Sequence, residues 1–176
     1  MKYLAFIIML FAFQDTITVV DFSQSSDISS WKTTNDDVMG GISTSSIALN
    51  ENGKGVFSGH VSTENNGGFA MVKNSVAVAL HETSKKVVLR LKGDGKAYQF
   101  RVKSNPTDRH WYTQNFTTSG DWETIEIDLN SLYPIFRGNR LRRQNFNHTE
   151  IKEIAFLIGN KQDENFKLII DSIKIN

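Results

Sequence analysis

Residues 86–103 read KVVLRLKGDGKAYQFRVK, and this stretch decides the fold class. In both halves apolar side chains alternate with polar ones, which is the two-residue period of a strand with one buried face. The step Asp94-Gly95 between the halves supplies the positive φ that a tight hairpin turn requires. We therefore predict two strands, Lys86–Lys92 and Ala97–Lys103, paired with each other as a hairpin.

Apolar runs of the same kind recur along the chain from residue 16 onward. Clusters of Gly, Asn, Asp and Ser separate them at spacings of about 8–12 residues, and no long segment has the 3.6-residue period of a helix. The turns at residues 118–121 and 159–165 are predicted to join consecutive strands, whereas residues 130–147 are predicted to be irregular. About nine or ten strands in this arrangement predict an all-β protein, an antiparallel β-sandwich or jelly roll.

Composition narrows the class of protein. The chain has 176 residues, enough for one domain, and 39% of them are hydrophobic, which argues against a disordered chain. Twenty Lys and Arg stand against 19 Asp and Glu, and this balance gives no reason to predict nucleic acid as a partner. Cysteine is absent, which excludes disulfides, thiolate metal sites and cysteine nucleophiles.

An apolar block, LAFIIMLFAF at residues 4–13, follows Lys2 near the start of the chain. It has about half of the ~20 residues that a membrane span needs, but it fits the hydrophobic region of a signal peptide. We predict a leader over residues 1–14 and a single domain over residues 15–176. With the leader cleaved, the protein would be exported to the periplasm or outside the cell without a membrane span; otherwise it would be membrane-associated. An extra strand or a buried helix is the alternative.

Motifs for catalysis are missing. The four histidines are scattered without the spacing of a metal site, and the chain has no Gly-x-Ser-x-Gly elbow, phosphate-binding loop or dinucleotide fingerprint. Asp36 and Asp37, in a predicted loop, have the chemistry to hold calcium or to serve a hydrolase, although adjacent loop carboxylates are more often turn formers. We predict no enzymatic activity and no cofactor.

Two groups of side chains have the chemistry of recognition. Four positive charges fall within the predicted irregular stretch, at Arg137, Arg140, Arg142 and Arg143. Such a cluster binds phosphate, an acidic protein face or an acidic glycan, or it pairs with neighbouring carboxylates, and both interpretations stay open. Aromatic side chains that either stack on a ligand or fill the core are Trp31, Trp111, Tyr112 and Trp122.

The order of several short motifs resembles one protein family. Trp31 followed by NDDVMGGIS at residues 35–43 is similar to a segment of the complex I intermediate-associated protein 30 family. Further similar pieces follow in the same order: FSG at 57–59, GGFA at 67–70, GDGKAY at 93–98, Trp122 before Ile125, and FRG at 136–138. The resemblance extends from Thr16 to Asn176 and implies a galactose-binding-domain-like jelly roll. The paired glycines by themselves indicate close approach of the backbone, which needs no ligand.

The resemblance also implies a function. Mitochondrial members of the family are chaperone-like assembly factors for the membrane arm of NADH:ubiquinone oxidoreductase, and no enzymatic activity is attached to the domain. We therefore expect a non-catalytic module that binds a protein partner, with an exported carbohydrate-binding jelly roll as the alternative. Because loops and exposed polar groups carry recognition in sandwiches, the candidate binding residues are Asn35, Asp36, Asp37, Arg101, Trp111, Tyr112 and Arg137.

Overall fold

The computed structural model describes residues 16–176, apart from the side chains of residues 38 and 39, and the predicted leader at residues 1–14 lies outside the described residues. The strands are β1 (Ile17–Asp21), β2 (Lys32–Asn35), β3 (Thr44–Leu49), β4 (Gly55–Val61), β5 (Ala70–Ala79), β6 (Lys86–Lys92), β7 (Ala97–Lys103), β8 (Trp111–Thr117), β9 (Trp122–Asp128), β10 (Tyr133–Phe136), β11 (Asn139–Arg140), β12 (Glu150–Ile158) and β13 (Glu164–Ile175). Three short 3-10 turns are Asp36–Met39, Glu64–Asn66 and Leu129–Ser131. Among the described residues, none of the helical segments is long and apolar enough to cross a membrane.

The strands form two antiparallel sheets. The six-stranded sheet has the order β3-β4-β13-β6-β9, with β1 also paired to β13. The seven-stranded sheet has the order β11-β10-β8-β7-β12-β5-β2. The inner faces of the two sheets share one hydrophobic core. The predicted all-β antiparallel sandwich is thus confirmed.

The predicted hairpin between Lys86–Lys92 and Ala97–Lys103 is wrong. β6 lies in the six-stranded sheet between β13 and β9, whereas β7 lies in the seven-stranded sheet between β12 and β8. The connections β8–β9 and β12–β13 cross between the sheets in the same way, so their turns do not join paired strands either. Each strand turns one face to the shared core whichever strand lies beside it. Alternation therefore predicts which side chains are buried but not which strands pair.

Polar contacts from Asp94 hold the β6–β7 connection to both sheets. Its Oδ1 accepts a hydrogen bond from the Tyr98 hydroxyl on β7 at 2.9 Å. Its Oδ2 accepts from the Lys167 N–H on β13 at 2.9 Å and from Lys96 Nζ at 3.0 Å. Burial opposes the ionisation of Asp94, but these hydrogen bonds outweigh it and lower the pKa of the carboxyl group. Through these hydrogen bonds the β6–β7 connection links the two sheets.

Aromatic side chains fill much of the space between the sheets. The ring centroids of Phe57 and Phe166 lie 4.8 Å apart, and those of Phe100 and Phe156 lie 5.5 Å apart. Trp31, whose role the sequence leaves open, is a core residue with 7% exposure. Tilted and edge-on contacts of this kind stabilise a core beyond the burial of area alone.

Three short strands were not predicted. β2 has the sequence KTTN and lies at an edge of the seven-stranded sheet, where charged and polar residues are common. β10 and β11 lie within the stretch predicted to be irregular. Pro134 in β10 has no N–H group to donate to a neighbouring strand, and for this reason the sequence of the segment does not predict a strand.

Replacing Asp94 with Ala is expected to lower the free energy of unfolding by about 1–3 kcal/mol, because the Tyr98 hydroxyl and the Lys167 N–H lose their acceptor. The matched control is Asp121→Ala, an exposed carboxylate in the β8–β9 connection, which should change it by less than about 0.5 kcal/mol. Urea unfolding followed by tryptophan fluorescence measures both variants. Equal stability of the two variants would contradict this role of Asp94 in linking the sheets.

Candidate functional site

Asp36 lies at a junction between the β2–β3 and β4–β5 connections. It is 1% exposed. Its carboxylate accepts hydrogen bonds from the Ser43 N–H at 3.0 Å, the Ser43 hydroxyl at 2.5 Å, the Gly68 N–H at 2.6 Å and the Phe69 N–H at 3.2 Å. Burial by itself raises the pKa of Asp36, but these hydrogen bonds outweigh it and lower the pKa. Both carboxylate oxygens are therefore occupied within the protein.

Two glycines of the sequence motifs lie against this carboxylate. A Cβ atom at Gly41 would stand 2.3 Å from Asp36 Oδ1, and one at Gly67 would stand 2.7 Å from Asp36 Oδ2. Side chains at these positions would push the junction apart. The predicted close approach is confirmed here, and the motifs around residues 36–43 and 67–69 build the junction.

The other candidates from the loops lie far apart. Asn35 is the last residue of β2 and Asp37 follows that strand, at one edge of the seven-stranded sheet. Asn35 Oδ1 accepts a hydrogen bond from the Ser45 hydroxyl at 2.6 Å. Arg137 is exposed in the hairpin between β10 and β11, at the opposite edge. These residues cannot contribute to one small site.

Tyr112 faces the core and is 8% exposed. Its hydroxyl lies 3.0 Å from His148 Nε2, within hydrogen-bond distance, and its ring packs edge-on against Phe146 with centroids 5.3 Å apart. Burial raises the pKa of Tyr112. Of the seven candidate residues, the structure brings together Arg101 and Trp111, which lie on neighbouring strands of one surface.

This surface is the side of the seven-stranded sheet that faces away from the core, and we call it the outer face. Strand register places its side chains in three rows that cross the strands. The first row is Arg140, Ile135, Trp111, Lys103, Glu153 and Ser75. The second row is Tyr133, Thr113, Arg101, Ala155, Lys73 and Lys32. The third row is Asn115, Gln99, Leu157, Met71 and Thr34.

The outer face has an apolar floor. Met71, Ala155 and Leu157 form a cluster separate from the core, with exposures of 7%, 0% and 7%. Trp111 is half-buried and packs against this cluster, and Lys103 Nζ lies 4.6 Å from the centroid of its ring. The cation–π contact and the apolar packing hold the indole on the sheet.

Arg101 lies beside this floor, and within residues 16–176 most of its donors have no partner. Its Nε and Nη2 atoms donate to Gln99 Oε1 at 3.0 and 2.5 Å, and these bonds use two of the five N–H donors of a guanidinium group. Burial lowers the pKa of Arg101 to about 10. The group is still protonated at neutral pH, and its three remaining donors have no hydrogen-bond partner among residues 16–176.

Glu153 lies between two lysines on the outer face. It is 6% exposed, and its oxygens lie 3.3 Å from Lys73 Nζ and 3.7 Å from Lys103 Nζ. Lys103 also donates to the carbonyl oxygens of Pro106 and Asp108, at 3.3 and 2.7 Å. Lys103 thus ties the β7–β8 connection to the sheet.

Four residues of the outer face are not among the candidates predicted from the sequence: Gln99, Lys73, Tyr133 and Glu153. In the sequence these residues are recognisable only as polar side chains on the outward side of alternating strands. Each strand contributes only one or two of these residues, however, and the strands come from distant parts of the chain. Only the sheet order joins them.

The arginine cluster borders the outer face. In residues 16–176, none of the four arginines lies within 4.0 Å of a carboxylate oxygen. Instead, the Arg140 guanidinium lies 4.6 Å from the Tyr133 ring centroid, and that of Arg137 lies 5.5 Å from the Phe136 ring centroid. Of the two interpretations of this cluster, pairing with carboxylates is therefore not observed, and the positive charge is not neutralised locally.

A groove of about 560 Å³ opens at the end of the sandwich where residues 80–85 and 146–149 meet, and His81 and His148 are among its lining residues. The candidate binding residues do not line it. In residues 16–176, no group of three or more His, Asp or Glu side chains is placed to hold a metal ion.

The family model of complex I intermediate-associated protein 30 matches residues 20–170. The chain belongs to the complex I intermediate-associated protein 30 family. The resemblance seen in the order of the sequence motifs is confirmed by this match. No curated protein is significantly similar to the chain in sequence.

Solved structures share the fold of this family member. The family 11 carbohydrate-binding module of a cellulosomal cellulase of Clostridium thermocellum is 16% identical, with a TM-score of 0.68 over 93% of this chain and 95% of that one. A Clostridium thermocellum family 11 module in complex with a β-1,3-1,4-mixed-linked tetrasaccharide is 18% identical, with a TM-score of 0.65 over 90% and 94%. A family 29 carbohydrate-binding module is 11% identical, with a TM-score of 0.55 over 92% and 85%. These likenesses confirm the jelly-roll fold.

Asp36→Asn is expected to lower the free energy of unfolding by about 1–3 kcal/mol near neutral pH, because an amide nitrogen cannot accept the junction's hydrogen bonds. The folded-state pKa of Asp36 is lowered from 3.8, so the carboxylate stabilises fully above that value and loses its effect as pH falls through the lowered pKa. The difference between the wild type and D36N should therefore shrink between about pH 5 and pH 2.

Urea unfolding at a series of pH values measures this difference. The matched control is Asp37→Asn, which changes the exposed neighbouring carboxylate and should follow the wild type at each pH. A difference between the wild type and D36N that is constant over the series would contradict the role assigned to Asp36.

Proposed function

We propose that this chain is a non-catalytic binding module and that its outer face binds a carbohydrate. The observation that carries the proposal is Trp111, packed on an apolar floor beside the polar side chains of Gln99 and Arg101. A sugar ring has apolar C–H faces and a rim of hydroxyl groups, so it needs an aromatic surface and polar groups side by side. The outer face offers both on a rigid sheet.

The comparisons support a ligand of this class. The family 11 module of Clostridium thermocellum has the same fold and was solved with a mixed-linkage tetrasaccharide. An exported protein, as the predicted leader implies, would meet polysaccharides in the periplasm or outside the cell.

Identification of the first residue of the mature protein from its native host tests the location, and Asp15 or Thr16 is the expected result.

The lack of a catalytic pair on the outer face supports a binding role. Glycoside hydrolysis ordinarily uses two carboxyl groups on either side of the scissile bond. In the three rows of the outer face, Glu153 is the single carboxylate, and Lys73 and Lys103 both lie close to it. The outer face thus lacks the second carboxyl group of such a pair.

Family membership favours a second candidate, a protein partner. Mitochondrial relatives assist the assembly of NADH:ubiquinone oxidoreductase, and the basic arginine cluster beside the outer face suits an acidic protein surface. Co-purification of respiratory-complex subunits with the tagged chain from its native host would support this candidate. Their absence, together with glycan binding, would favour the carbohydrate.

Trp111→Ala is expected to weaken glycan binding at least tenfold, because it removes the aromatic platform of the outer face. The matched control is Trp122→Ala, since Trp122 is 41% exposed on the six-stranded sheet. A glycan array identifies a ligand, and isothermal titration calorimetry compares the variants. Equal binding by W111A and W122A would contradict the assignment of the outer face.

A further inference from the structure

We propose that the carbohydrate bound on the outer face is acidic, a polysaccharide whose sugars carry carboxylate groups, and that Arg101 binds a carboxylate. The inference names the class of ligand for the same surface and therefore rests on the proposed function. It is carried by three features of the outer face: its charge, the free donors of Arg101 and the residues on either side of Arg101.

The outer face is strongly basic, although the whole chain has a formal net charge of only +1. Its three rows contain one acidic side chain, Glu153, against five basic ones, which are Lys32, Lys73, Arg101, Lys103 and Arg140. A local excess of one sign attracts ligands of the opposite sign and speeds their association. A neutral glycan gains nothing from this excess, whereas an acidic glycan does.

Arg101 is the basic residue at the centre of this surface, and its charge is not neutralised. In residues 16–176, no carboxylate oxygen lies within 4.0 Å of its guanidinium nitrogens. Its hydrogen bonds go to Gln99, a neutral amide on the same strand. The planar fork of a guanidinium group fits a carboxylate with two parallel hydrogen bonds. A half-buried cation with free donors is a site for such a partner.

Arg101 is partly exposed on the outer face. Thr113 and Ala155, both with short side chains, flank it in the second row. Lys73 and Lys32 follow in the same row, on β5 and β2. Adjacent strands are about 4.8 Å apart, so the three cations span roughly 15 Å across the sheet. A polyanion carries several carboxylates along its length, so it can contact more than one of these cations, whereas a single acidic group cannot.

The test compares two forms of one polysaccharide, polygalacturonate and its fully methyl-esterified form, which have the same backbone but differ in charge. Barley mixed-linkage β-glucan is the neutral reference, and a sulfated galactan provides a different anion. Binding of the full chain is measured by isothermal titration calorimetry at low and high salt. The variants are Arg101→Gln and Arg101→Lys, and the matched control is Arg90→Gln, which removes an arginine over Trp122 on the other sheet.

We expect the wild type to bind polygalacturonate at least tenfold more tightly than the esterified form, with an affinity that falls as salt rises. R101Q should lose at least tenfold in affinity, R101K should lose less because it keeps the charge without the fork, and R90Q should bind as the wild type does. Circular dichroism and thermal unfolding show whether each variant is folded. W111A serves as a second binding-deficient variant if R101Q does not fold.

Other outcomes overturn the inference in distinguishable ways. One such outcome is equal binding of polygalacturonate and its esterified form that is unchanged in R101Q but lost in W111A. This result would refute the proposal that the ligand is acidic, while carbohydrate binding by the outer face would stand. Binding of the sulfated galactan without polygalacturonate would refute the carboxylate. If none of the polysaccharides binds, the proposed function fails together with the inference.

Discussion

The aromatic core between the two sheets is the constraint on which the remaining features depend. Phe100 and Phe156 pack against each other from neighbouring strands of the seven-stranded sheet, and both are essentially inaccessible to solvent. Because side chains alternate along a strand, burial of Phe100 fixes Gln99 and Arg101 on the opposite side. A slip of one residue would exchange the two faces and place the guanidinium group in the core. The outer face is therefore aligned by the packing behind it.

Polar side chains have two different roles in this molecule. Asp36 and Asp94 are carboxylates whose hydrogen-bonding capacity is used inside the protein, one joining two loops and the other joining two sheets. Arg101, by contrast, lies on the partly exposed outer face and has donors without a partner in residues 16–176. The motifs that identify the family centre on the first role, since Gly41 and Gly67 make room for the Asp36 carboxylate. The family motifs are thus explained by the structure of the domain, and the ligand has to be inferred from the residues of the outer face.

The outer face also explains how this fold combines stability with recognition. The floor residues Met71, Ala155 and Leu157 are nearly inaccessible although they lie outside the core, so the surface is packed before any ligand arrives. Side chains held in this way lose little conformational entropy on binding, which favours affinity. The strands that carry them belong to a sheet that also has to form for the core to close. Folding and preparation of the site are therefore one process.

The sequence by itself determined the fold class, the inward and outward faces of most strands, and the family, because these depend on local alternation and on the order of short motifs. It also placed Arg101 and Trp111 among the candidate residues. Only the tertiary structure decided that β6 and β7 lie in different sheets, that Asp36 is an internal acceptor, and that Lys73 and Tyr133 lie in the same row as Arg101. The reason is that strand partners are chosen by packing across the whole core, and alternation is the same for a strand beside its sequence neighbour and for one beside a distant segment.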